Sequence, residues 1–126
     1  MTDVGRRALA VQSGYFIATG LWPLVSDRSF QAVTGPKGSM WLAKVVGALV
    51  GVVGGVLSLA VIRGRTKEPE TIALAAGSAA ALGITDVVFV ARAGIRRVYL
   101  VDAAIEAMFA ALVLADWVRR APDAGA

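Results

Sequence analysis

Three carboxylates stand a helical turn or more inside apolar stretches of this chain, where water cannot solvate them: Asp86, Asp102 and Glu106. A charge at the centre of a bilayer costs roughly 2.5–3.5 kcal/mol on insertion scales, so such residues face a partner or a cavity. Asp102 and Glu106 are four residues apart, which sets both on one face of a helix. Lys44 lies about one helical turn inside another apolar stretch. Tyr15 and Thr19 follow Gln12 at steps of three and four, and Trp22 continues the same stripe. Together these side chains suit a protonatable site or a counter-ion for a bound cation. With Asp86, Asp102 or Glu106 as acid and base they would also suit a lipid-modifying enzyme. Histidine and cysteine are both absent. That removes the commonest general base, thiolate chemistry and the usual soft metal ligands. Three scattered carboxylates are no metal set, and no cofactor is implied.

The elements that must carry these residues are four apolar runs, 8–24, 40–62, 71–91 and 98–118, of 17 to 23 residues each. A helix rising about 1.5 Å per residue needs about 20 such residues to cross a hydrocarbon core roughly 30 Å thick. Hydrophobic residues make up 57% of the 126, and charged residues only 17%. The expected architecture is all-α: a single membrane domain over 1–126, built as an antiparallel bundle of four transmembrane helices whose solvent is the lipid bilayer. The net charge of +4 comes from basic residues flanking the runs, the pattern of headgroup anchors rather than of a nucleic-acid surface. The first run lacks a small-residue cleavage site and is expected to remain as a helix rather than act as a signal peptide.

The connections carry turn chemistry. Trp22-Pro23 is expected to end the first run. Ser26, Asp27 and Ser29 are candidate caps, and residues 29–33 suit a short interfacial helix. Gly64 can close the second run, Pro69 can open the third, and residues 92–97 form a tight hairpin turn. The tail, 121–126, is expected to lack regular structure. Across that hairpin Asp86 and Asp102 fall at similar depth, with Glu106 one turn deeper. The residues expected to line one polar pocket are therefore Tyr15, Thr19, Lys44, Asp86, Asp102 and Glu106, opening toward the face of the first and third loops. A plainer alternative pairs Asp102 with Arg96, Arg97 or Lys44, Asp86 with Arg92, and Asp116 with Arg119 or Arg120 near the headgroups.

Helix contacts in lipid favour small residues. Gly47, Gly51 and Gly55 form a tandem GxxxG, with Gly54 beside them. Ala73, Gly77 and Ala81 repeat the spacing on the third run, and Ala103, Ala107, Ala111 and Ala115 on the fourth. These faces serve the bundle itself or, on the second helix, a homodimer seam. Arg6, Arg7, Arg63, Arg65, Lys67, Arg119 and Arg120 outnumber Arg28, Lys37, Lys44, Arg92, Arg96 and Arg97 by seven to six. The positive-inside rule then sets both termini in the cytoplasm.

Gly14-Tyr15-Phe16, Gly20-Leu21-Trp22-Pro23, the stretch from Ser29 to Lys37, Trp41-Leu42 and Val46-Gly47, with Val98 to Ala103 and Glu106, resemble a family of small uncharacterised bacterial four-helix integral membrane proteins. The loop segment FQAVTGPK is its most specific part and adds Phe30, Thr34, Pro36 and Lys37 as loop candidates. More loosely, the chain is similar in size and layout to DoxX-like four-helix proteins. The resemblance implies a bacterial inner-membrane architecture and no activity. A non-enzymatic protein is expected, binding a small hydrophobic or cationic ligand, or a partner subunit, at the carboxylates. The alternative is a proton-coupled small-molecule transporter acting as a dimer, with Glu106 as the shared proton and cation site. The first run carries no acidic residue, unlike small multidrug transporters, which place their essential Glu in the first helix.

Overall fold

The computed structural model describes residues 4–35, 40–93 and 96–125, with the side chains of 93 and 120–125 excepted. It is all-α. Five helices follow in order: α1 (Val4–Val25), α2 (Asp27–Thr34), α3 (Met40–Ile62), α4 (Pro69–Ala93) and α5 (Val98–Gly125). α1, α3, α4 and α5 are each long and apolar enough to cross a membrane. Their outward faces agree with that solvent: Leu49 and Val52 are each 62% exposed, and Ile84 is 64% exposed. An apolar surface of this extent calls for a cover of lipid or protein rather than water.

Local chemistry sets the helix ends. Ser26 caps α2, its hydroxyl accepting from the Ser29 N–H at 3.3 Å. α3 ends on Gly64 at φ +70. The Gly64 N–H reaches the Val61 carbonyl at 3.3 Å and the Arg65 N–H the Ala60 carbonyl at 2.8 Å. This is the Schellman closure that a glycine after a helix favours. Pro69 opens α4, where its missing N–H has no partner to lose. α1 runs two residues past Pro23, contrary to the expected stop at Trp22-Pro23. So near the end a proline forfeits only the one bond to residue 19, and its ring is used in contact with Gly47. α5 likewise continues through the tail to Gly125, since a formed helix adds residues at little cost.

The two most extensive helix contacts are α1 with α3 and α4 with α5. α1 also meets α5, while α3 and α4 touch little. A Cβ on Gly20 would sit 2.5 Å from the Gly47 carbonyl oxygen, and one on Gly54 2.9 Å from Ile17 Cγ1. The backbones of α1 and α3 therefore approach through Gly20, Gly47 and Gly54. Gly51 takes part with its backbone, whose nitrogen would lie 2.7 Å from a Cβ on Gly20, while a Cβ on Gly51 itself would meet only Leu21 at 3.9 Å, and Gly55 faces open space. The expected small-residue faces on the last two helices are turned too. Ala73, Gly77 and Ala81 point outward, as do Ala107, Ala111 and Ala115, whereas Ala75, Ala76, Ala79 and Ala103 are buried. Polar residues decide this register. Burying Glu106 and Asp116 on α5 turns Ala107, Ala111 and Ala115 to the lipid. At the end nearest the 63–68 connection, Leu9, Leu57, Ile72, Ala75 and Val113 close a core shared by the four long helices.

Candidate functional site

Toward the other end the helices enclose a cavity of about 580 Å³, within the range of small-molecule sites. Tyr15 and Thr19 of α1, Asp86 of α4, and Asp102 and Glu106 of α5 all line it. So do Phe30 and Thr34, from α2. Lys44 does not: its Nζ pairs with Asp27 Oδ1 at 3.0 Å, with both side chains well exposed. Asp27, on the neighbouring short helix, offers Lys44 a solvated partner, which costs no desolvation. Pro36 and Lys37 lie outside the described residues.

Each polar group is held by its helix. Thr19 donates to the Tyr15 carbonyl at 2.7 Å, and Thr85 to the Ala81 carbonyl at 2.7 Å. Hydroxyls tied back in this way are satisfied without leaving the helix, as lipid requires. The Tyr15 hydroxyl donates to Asp102 Oδ1, and its ring meets Phe109 edge-on with centroids 5.7 Å apart. Asp102 thus takes a phenol as its partner, not the arginines at the hairpin. Arg96 is engaged elsewhere, donating to the Ala32 carbonyl at 3.0 Å. Asp86 faces the same cavity from α4.

Glu106 is the deepest of the three, at 1% exposure. Gly83 makes room for it: a Cβ there would lie 3.3 Å from the Glu106 Cβ. Glu106 Oε1 and Asp86 Oδ2 are buried without a hydrogen-bond partner. Buried polar atoms are rarely left so, because each forfeits its hydration. Every described side chain lining the cavity is neutral or acidic. Among the described residues no group of three or more carboxylates converges to hold a metal ion.

Below the cavity Gln12 is fully buried and donates from Nε2 to the Ala75 carbonyl of α4 at 2.8 Å. Asp116, at the far end of α5, is 6% exposed, beside Gly5, with Arg119 Nη2 at 3.9 Å. It joins helix ends and takes no part in the cavity.

Several contributors carried no sequence signal of their own. Gly20 and Gly83 look like any other glycine in an apolar run, and Tyr99 sits in the cavity wall without a periodic partner. Asp27 reads as a cap until its distance to Lys44 is known. Comparison with protein-family models, with curated proteins and with solved structures gives no match.

Proposed function

We propose that this multi-pass protein binds a small hydrophobic or cationic ligand in the acidic cavity between its helices. One observation carries the reading. Glu106 is almost fully enclosed, with Oε1 unpartnered, in an apolar cavity whose described lining includes no basic side chain. A bound cation supplies the missing counter-charge. The test is the thermal unfolding midpoint of purified protein titrated with benzylammonium, with benzyl alcohol as the neutral control. A ligand that binds only the folded state raises the midpoint with concentration. Benzylammonium raises it for the wild type and not for Glu106→Gln, while benzyl alcohol does neither. Equal shifts with both compounds, or equal shifts in both proteins, overturn the reading.

The presence of Asp86 from α4 and Asp102 from α5 in the wall of one cavity favours a second reading. A cation that takes the place of a proton at these carboxyl groups makes the exchange a proton-coupled transporter uses. Proteoliposomes carrying a pH gradient test it: uptake of benzylammonium follows the gradient and is lost in Asp86→Asn. We place the chain in the bacterial inner membrane with both termini cytoplasmic. The seven-to-six excess of Lys and Arg on that side and the resemblance carried by Phe30–Lys37 support this. A homodimer or a partner subunit would sit on the outward glycine face of α3, at Gly55.

A further inference from the structure

Resting on that reading, we propose that the occupant is a single-tailed amphiphile with a protonated amine head, which enters from the bilayer through the gap between α3 and α4. The walls of the cavity argue for the route. α1 and α3 are sealed by backbone contact at Gly20 and Gly47. α4 and α5 close at Gly83 and Glu106. α1 and α5 are joined by Tyr15 and Asp102. Beneath, Gln12 and the Leu9–Leu57–Val113 core fill the bundle.

The roof is α2, and it is fastened at both ends. Trp22 Nε1 donates to Ser29 Oγ at 2.9 Å, and its ring meets Phe30 edge-on at 5.4 Å. Arg96 holds the Ala32 carbonyl from the start of α5. The side left open lies between α3 and α4, which touch little. Val46 and Val50 flank it on one helix and Leu82 and Thr85 on the other. Thr85 spends its hydroxyl proton on Ala81, so this opening offers nothing to water and an apolar wall to an acyl or alkyl chain.

The head group follows from the orphaned atoms. Glu106 Oε1 and Asp86 Oδ2 are both acceptors without a donor. A quaternary ammonium brings charge but no N–H. A protonated amine brings charge and up to three donors, and so satisfies both. An anionic or phosphate head would meet three carboxyl groups and no described basic side chain. The occupant is thus an alkyl ammonium, head at Glu106, tail in the α3–α4 gap.

A dodecylammonium analogue with a diazirine midway along its chain tests this in vesicles of zwitterionic lipid, with crosslinks mapped by mass spectrometry. Labelling is expected on Val46, Val50, Leu82 and Thr85. Excess dodecylammonium should suppress it at least tenfold, whereas dodecanol and dodecyltrimethylammonium should not. Labelling on the outward residues Leu49 and Val52 reports partition into lipid and should resist competition. The double variant Val50→Phe with Leu82→Phe fills the gap. It should lower labelling at Val46 and Thr85 at least tenfold, whereas the same exchange at the outward residues, Leu49→Phe with Val52→Phe, should leave that labelling unchanged. Competition by dodecanol as strong as by the amine overturns the head-group assignment. Labelling confined to Leu49 and Val52, with the benzylammonium shift preserved, overturns the tail route and leaves the carboxylate reading standing. Loss of both signals in folded wild-type protein overturns the two together.

Discussion

Removing the Tyr15 hydroxyl isolates the contact that ties α1 to the acidic cluster. In Tyr15→Phe the ring keeps its edge contact with Phe109, at 5.7 Å and 61°, so no cavity is created and only the bond to Asp102 is lost. Interhelical hydrogen bonds in membrane proteins average about 0.6 kcal/mol in double-mutant cycles and reach about 1.7. Bonds to a charged group run to about 1.5–3 kcal/mol. Asp102 is half-buried, which trims the upper figure. The expected coupling between Tyr15→Phe and Asp102→Ala is therefore about 1–2 kcal/mol. The assay is unfolding in mixed micelles by rising SDS fraction for wild type, both single variants and the double variant. Coupling within about 0.3 kcal/mol, the scatter for independent sites, refutes the bond as a structural tie.

Three further outcomes are expected. Gly47→Ala places a Cβ against the Gly20 backbone and 2.9 Å from Pro23 Cγ, and should destabilise by about 1–3 kcal/mol. Gly55→Ala meets nothing within 4 Å and should be neutral or gain up to about 1 kcal/mol in the same SDS titration. Gln12→Leu deletes a donor and an orphaned acceptor together and should change stability by less than about 1 kcal/mol, whereas Gln12→Ala should lose about 2–4 kcal/mol to the void it leaves. Glu106→Gln keeps shape and removes an enclosed titrating group. Circular dichroism should show the fold intact, and the thermal midpoint should vary less with pH than in wild type.

Hydrophobic run length was enough to read the four spans, because lipid demands that every backbone group be satisfied within a helix. The depth of Asp86, Asp102 and Glu106 was legible for a related reason. A short connection fixes two helix ends at one level, and steps of three and four fix a shared face. Lys44 was misread because depth says nothing of the direction in which a long side chain turns, and Asp27 waits for it at the surface. The alanine faces were misread because small residues are common on all sides of an apolar helix. The enclosed Glu106, Gln12 and Asp116 distinguish inside from outside, since a carboxylate or an amide is costly to turn to lipid.

The placement of glycines explains why a cavity exists at all. Gly20, Gly47 and Gly54 draw α3 onto α1, and Gly83 draws α4 onto α5. The bundle is thereby divided into two tight pairs. In lipid no hydrophobic force presses the pairs together, so polar contacts must join them. Gln12 reaches from α1 to the Ala75 carbonyl of α4, and Tyr15 from α1 to Asp102 of α5. Both ties run through α1. Among the described residues α3 has no such link to α4 beyond the core near their shared connection, and farther along the two helices are free to diverge. The opening therefore arises where the pairs are joined on one side only, and Tyr15 and Asp102, which make one of the two ties, stand in its wall. Replacing Tyr15 or Gln12 should thus change the width of the α3–α4 gap as well as stability, even though neither residue lies on α3 or α4.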